Sequence, residues 1–206
     1  MSGARPIDNA FTTALRASGQ LKLIVAETFA GAAEKIVCAC VESLVAGGKL
    51  MFCGNGGSAS DSQHLATEML VRFRSGLNRC PLSAIALTLD PTLLTAAGND
   101  FGFESVFERP LRALGRGGDV LFALTTSGRS ANVIRALEAA RRMEILTVGL
   151  LGATGQPAEL YCDHAIVVPS SDTARIQECH ITIGHAIIQM IEDRLLARGL
   201  IRVDEG

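Results

Sequence analysis

Short runs of branched and aliphatic residues recur along this chain at 50–53, 84–88, 120–124, 145–150 and 165–168, and stretches of helical period separate them. That alternation limits the fold more than any other feature. Each run has the length of a strand and lacks a polar residue at every second position, as a strand buried on both faces requires. The clearest intervening segment, 130–142, places Val133, Ile134, Leu137 and Ala140 on one helical face and leaves Arg129, Arg135, Arg141 and Arg142 for the solvent side. Strands alternating with helices imply right-handed crossovers, a parallel sheet, and helices on both of its faces. The expected class is α/β, a three-layer doubly wound sandwich around five parallel strands.

Two helical segments frame this unit. Residues 8–46 read as one broken helix or two consecutive ones, with Leu21, Leu23, Ile24, Phe29, Ile36, Val37 and Val41 as apolar material, and Gly47-Gly48 ends them. Residues 174–197 read as one long helix, apolar almost all round through Ile176, Cys179, Ile181, Ile183, Ile187, Ile188, Met190, Ile191 and Leu195. Such a helix is expected to be buried against more than one neighbour. At 206 residues the chain suits one domain of the usual size, about 100 to 200 residues. Residues 1–48 are then a helical N-terminal extension used in oligomerisation, and 49–197 the α/β core.

Charge and cysteine usage exclude several classes. The net charge of −2 and scattered basic residues disfavour nucleic acid as a partner. The start of the chain lacks a basic stretch followed by an apolar run, and no segment has the roughly 18 apolar residues of a membrane span, so a cytoplasmic protein without membrane contact is expected. The six cysteines show no Cys-x-x-Cys spacing and sit mostly in apolar segments, which reads as reduced core thiols.

Two loops stand where an open α/β sheet binds its ligand. Gly54-Asn55-Gly56-Gly57-Ser58 follows the first strand and precedes a helix carrying His64 and Glu68. Glycines there admit a close ligand, and a helix N-terminus offers free N–H groups and positive potential to an anion. A tight turn capped by Ser58 or Ser60 is the alternative. Thr125-Thr126-Ser127-Gly128-Arg129-Ser130 repeats the arrangement after the third strand, and its hydroxyls can wrap a phosphate without a lysine. Capping by Ser130 would account for one of those hydroxyls. Loops at the carboxyl ends of parallel strands are the binding edge of such sheets.

His64 and Glu68 share a helical face at a spacing of four and could hold one metal ion, although a solvated hydrogen-bonded pair fits equally. The last helix offers Gln177, Glu178, His180 and His185. Gln177 and His185 lie about 12 Å apart along a straight helix, so a bent helix or a second subunit would be needed to join them at one ion. A buried histidine on an apolar helix is more often a satisfied core residue. Gly98-Asn99-Asp100-Phe101-Gly102 reads as a turn, or as a carboxylate set beside sugar hydroxyls.

Taken together, Cys53-Gly54-Asn55-Gly56-Gly57-Ser58-Ala59, His64 with Glu68, the Gly98 to Gly102 segment, Thr125 through Asn132, and Arg175-Ile176-Gln177-Glu178 with His185 closely resemble the phosphoheptose isomerases of the SIS (sugar isomerase) family, over about residues 20–195. The resemblance implies a flavodoxin-like sheet and one Zn2+ per subunit on His64, Glu68, Gln177 and His185. It also implies substrate contacts from Asn55, Gly56, Gly57, Glu68, Asn99, Asp100, Thr125, Thr126, Ser127, Ser130 and Gln177. Arg72 matches an arginine that reaches a neighbouring subunit's site in a homotetramer, and Thr125 replaces a common serine while keeping the hydroxyl.

The implied reaction interconverts sedoheptulose 7-phosphate and D-glycero-D-manno-heptose 7-phosphate through an enediol, for bacterial heptose and lipopolysaccharide synthesis, with Glu68 and His185 as the acid/base pair. Rival readings are an isomerase for another phosphosugar, a sugar-phosphate-sensing regulator, and a non-enzymatic protein of the same fold that binds the replication initiator. The presence of both Glu68 and His185 favours the enzyme.

Overall fold

The computed structural model describes residues 9–88 and 90–201. Five strands, β1 (Leu50–Gly54), β2 (Ala84–Ala86), β3 (Val120–Thr125), β4 (Leu146–Gly152) and β5 (His164–Val168), pair in the order β2-β1-β3-β4-β5, all parallel. Side-chain alternation divides the core in two. Leu50, Phe52, Val120, Phe122, Leu124, Val148, Leu150, Ile166 and Val168 point to one face, and Met51, Cys53, Leu121 and Ala123 to the other. Because both faces are covered, strands that read as unbroken apolar runs are the stable solution. Phe52 and Phe122 stack across β1 and β3 with centroids 5.0 Å apart.

Helices α1 (Ala10–Val45), α2 (Gly57–Leu70) and α6 (Thr173–Ala197) cover the first face; α3 (Pro91–Phe101), α4 (Glu108–Leu114) and α5 (Ala131–Arg142) cover the second. The three-layer doubly wound sandwich is as the sequence predicts. The break expected in 8–46 is absent: α1 is one helix, opened by a capping box between Asn9 and Thr12 and followed by Gly47-Gly48, while residue 8 lies outside the described residues. Gly19 and Gly31 interrupt the apolar period but face open space, and the packing of Val25, Ile36, Val37, Cys40 and Val41 into the core outweighs their low propensity. Residues 98–101 are likewise helical, forming the end of α3, and only Gly102 turns the chain.

The strand order places the switch point between β1 and β3, where successive connections leave in opposite directions and open a crevice at the carboxyl edge. Both loops singled out above end at that crevice. No helix among the described residues is long and apolar enough to cross a membrane. All six cysteines are free; Cys40, Cys53 and Cys179 are buried, whereas Cys38 is exposed.

His180 faces the sheet and is fully buried. Its Nε2 lies 3.1 Å from the Leu151 carbonyl, which accepts the N–H, while Nδ1 has no partner among the described residues. The expected core histidine is thus only half satisfied. Burial pushes its pKa down to about 4, against the smaller opposing effect of the Leu151 bond. With an unfolded value near 6.5, the unfolded chain binds the extra proton first as pH falls, so this group's contribution is complete above pH 6.5 and is lost progressively toward pH 4. Denaturant titrations at pH 7 and pH 5 are expected to show the parent losing about 2 kcal/mol more than His180→Gln over that interval. Equal losses would remove His180 from the acid response.

Candidate active site

The first loop is shorter than its sequence suggests: Gly54 ends β1 and Gly57 already begins α2, so only Asn55 and Gly56 connect them. Neither Ser58 nor Ser60 is the cap. Gly56 is the N-cap, at φ 57° and ψ −121°, a conformation that favours glycine, and it has no side chain with which to cap the helix. A β-carbon on Gly57 would lie 2.6 Å from Nε2 of Gln177, so the Gln177 amide rests directly on the first residue of α2.

The second loop spends its hydroxyls on one another. Thr125 Oγ1 lies 3.1 Å from Ser130 Oγ and 3.4 Å from Ser127 Oγ, and the Arg129 N–H donates to Ser127 Oγ at 3.1 Å. Ser130 occupies the N-cap position of α5 but makes no capping bond with its side chain. The simple capping account of Ser130 therefore fails, and the positive end of α5 faces a cluster of hydroxyls. Asn55 joins the two loops: it exchanges paired amide hydrogen bonds of 2.8 Å with buried Asn132 in the first turn of α5.

Helices α2 and α6 lie side by side and parallel, as the matched neighbours Gly57 and Gln177, His64 and His185, and Leu65 and Gly184 show. This register brings His64, Glu68 and His185 together. His64 Nε2 is 2.9 Å from His185 Nε2 and 3.3 Å from Glu68 Oε1, and donor atoms of all three lie within 4.8 Å of one another. The tilted ring of Phe73 closes one side of His185, with centroids 5.6 Å apart. Burial, then the neighbouring His64, lower the pKa of His185 against the pull of Glu68, which favours a neutral imidazole.

Donors sharing a tetrahedral ion at about 2.0–2.1 Å stand about 3.3 Å apart, so the observed spacings and the His2Glu donor set fit a divalent ion such as zinc with a coordination position to spare. Gln177 lies outside this triad. Helix α6 is unbroken, and Gln177 sits level with Gly57 at the start of α2.

Other predicted site residues are more scattered. Asn99 and Asp100 are exposed on the last turn of α3, where Asn99 Nδ2 donates to Asp100 Oδ1 at 2.8 Å, and no side-chain hydrogen bond among the described residues joins them to either loop. Arg72 is exposed just beyond α2. Asp61, one turn before His64 and outside every motif named above, has its Oδ2 buried without a partner among the described residues. Burial raises its pKa and nearby His64 partly offsets that. Its spacing from His64, Leu65 and Glu68 was the available signal.

An open parallel sheet with ligand loops at its switch point defines a class of small-molecule-binding α/β proteins, and the comparisons narrow that class. The SIS domain family matches residues 15–152. A phosphoheptose isomerase of Akkermansia muciniphila is 48% identical over 165 residues, covering 80% of this chain and 86% of that protein. The structure of phosphoheptose isomerase GmhA from Neisseria gonorrhoeae superposes with a TM-score of 0.83 at 38% identity, covering 89% of this chain and 97% of that one. The structure of a phosphoheptose isomerase from Francisella tularensis gives 0.84 at 35% identity, covering 89% and 96%. The chain belongs to the SIS domain family and, within it, to the phosphoheptose isomerase branch, a family of sugar-phosphate isomerases.

Proposed function

We propose that the protein interconverts sedoheptulose 7-phosphate and D-glycero-D-manno-heptose 7-phosphate, moving a proton between C1 and C2 of the open-chain sugar. The convergence of His64, Glu68 and His185 between α2 and α6 carries this reading. The similarity to named phosphoheptose isomerases supports the choice of sugar. The phosphate binds the Thr125, Thr126, Ser127 and Ser130 hydroxyls at the N-terminus of α5, remote from the reacting carbons, and its binding energy orients the chain. Asn55, Gly56, Gly57 and Gln177 lie along the sugar, with Asn99 and Asp100 contributing to its hydroxyls.

Zn2+ would be held by His64, Glu68 and His185, whereas Gln177, which the resemblance adds as a ligand, rests against Gly57. Bound there it would act as a Lewis acid on the substrate carbonyl. Glu68, on the face of α2 turned toward α6, takes the carbon-bound proton and returns it to the adjacent carbon. His185, kept neutral by burial and by His64, relays the proton between the two oxygens of the enediol. Phe73 shields that exchange from water on one side.

A homotetramer with Arg72 reaching a neighbouring site follows from the same reading. The apolar groove between α1 and α6, lined by Val25, Phe29, Ile183 and Met190, and the exposed Leu15, Leu23 and Ile24 supply contact surface for it. The cytoplasm and the supply of heptose for lipopolysaccharide are the proposed setting.

Incubating the purified protein with ketose phosphates of five, six and seven carbons tests the function. Turnover is expected with the seven-carbon substrate and to be at least about tenfold weaker, in kcat/KM, with the shorter ones. A preference for a five- or six-carbon phosphate would reassign the substrate, and inertness toward all three would remove the enzymatic reading.

A further inference from the structure

The sequence gives no hint of Arg79, which lies in the connection between α2 and β2, yet its guanidinium is completely buried and four of its five N–H groups are engaged. Nε donates to Glu192 Oε1 at 2.5 Å, Nη1 to the Met69 and Cys80 carbonyls at 2.9 and 3.0 Å, and Nη2 to the Glu68 carbonyl at 2.7 Å. Glu192 is also fully buried, and its second oxygen accepts from Arg74 Nε at 2.9 Å.

Two features set this pair apart from an ordinary ion pair. Glu68 and Met69 are in the last turn of α2, whose carbonyls lack intrahelical partners and whose sequence supplies no basic residue. Arg79 bonds both from outside, sharing the Met69 carbonyl with the Leu82 N–H, and places a full positive charge at the negative end of that helix. Glu192 lies seven residues beyond His185 on α6, two turns along the same face. One side chain therefore grips the backbone of Glu68 with one edge and the helix of His185 with the other. A buried ion pair returns little net stability, because desolvating both charges offsets their attraction. Its effect here is geometric, fixing how far α2 and α6 can slide past each other.

We infer that Arg79, acting through Glu192, is a positioning residue that sets the register of α2 against α6 and so holds His64 and Glu68 in reach of His185. The inference rests on the function proposed above for its link to turnover, while its link to cation binding stands on the geometry alone.

Removing one partner strands a buried charge, so the informative variant is the double replacement Arg79→Met with Glu192→Leu, which fills the space without charge, read beside Arg79→Lys. The measurements are thermal unfolding, calorimetric titration with Zn2+ alone, and kcat and KM for sedoheptulose 7-phosphate. The double variant is expected to fold, to bind Zn2+ about 10- to 100-fold more weakly and to lose kcat by a similar factor with KM changed less than about threefold. Arg79→Lys, which keeps the charge but not the fork, is expected to recover part of the Zn2+ affinity.

A folded double variant with Zn2+ affinity and kcat within twofold of the parent would overturn the inference. If the double variant does not fold, Arg79→Lys decides: Zn2+ affinity equal to the parent's overturns it, and weakened affinity in a folded protein supports it. A parent that binds Zn2+ but leaves the heptose phosphate unchanged would overturn the proposed function, and weaker Zn2+ binding in the variants would still support the clamp.

Discussion

Glu68→Gln is expected to lower kcat for sedoheptulose 7-phosphate by at least about 1,000-fold, the upper part of the range for a general base, while the protein stays folded. The replacement keeps the shape of the side chain and removes both the charge and the basic oxygen. Two losses then coincide, since the carboxylate also faces His64, with Oε1 at 3.3 Å, and would supply a cation donor. The folded state has little at stake. Glu68 is half-buried, its carboxylate forms an ion pair with His64 on an open face of the protein, and the Glu68 carbonyl gripped by Arg79 is unchanged. The unfolding midpoint is expected to stay within about 4 °C of the parent. Turnover reduced by less than tenfold in a folded Glu68→Gln protein would take the carbon-bound proton away from Glu68.

Metal removal is expected to have the second largest effect. Dialysis against a strong chelator should reduce kcat by at least about 100-fold, and stoichiometric Zn2+ should restore it. The ground is the donor set: two imidazole nitrogens and one carboxylate oxygen, with donor atoms within 4.8 Å of one another, on two helices of one face. Imidazole and carboxylate suit zinc, and other first-row ions with a taste for nitrogen, so Co2+ should also restore turnover where Mg2+ should not. Full activity after chelation, with the metal content verified by mass spectrometry, would leave proton transfer to Glu68 and His185 unaided.

The sheet was legible because its information is local. A strand buried on both faces must be apolar along its whole length, and five such runs can be seen in the sequence without knowing their partners. The loops were legible for a similar reason, since glycines and hydroxyls after a strand announce a helix N-terminus. What escaped the reading depends on pairs far apart in the chain. Asn55 with Asn132 and Arg79 with Glu192 join residues 77 and 113 positions apart, and nothing near either residue signals its partner.

Local signals also misled where packing overrode them. Gly98 and Gly102 around Asn99-Asp100 suggested a turn, but the Pro91 start and Asp90 cap of α3 carry the helix through Gly98. Geometry reasoned from one helix alone raised a real difficulty in joining Gln177 to His185. The parallel neighbour α2 explains the layout, because it carries its own pair of contact points at the same rise, Gly57 and His64.

The amide bridge between Asn55 and Asn132 makes the crevice a ruler. It ties the loop between β1 and α2 to the N-terminus of α5, which holds these two sides of the crevice at one separation. On the proposed reading, a sugar anchored by its phosphate at α5 would present to Glu68 and His185 whichever carbon lies at the fixed distance, and chain length would be measured by the spacing of these elements. Specificity of that kind would be altered by cutting the bridge, without touching any group that reacts.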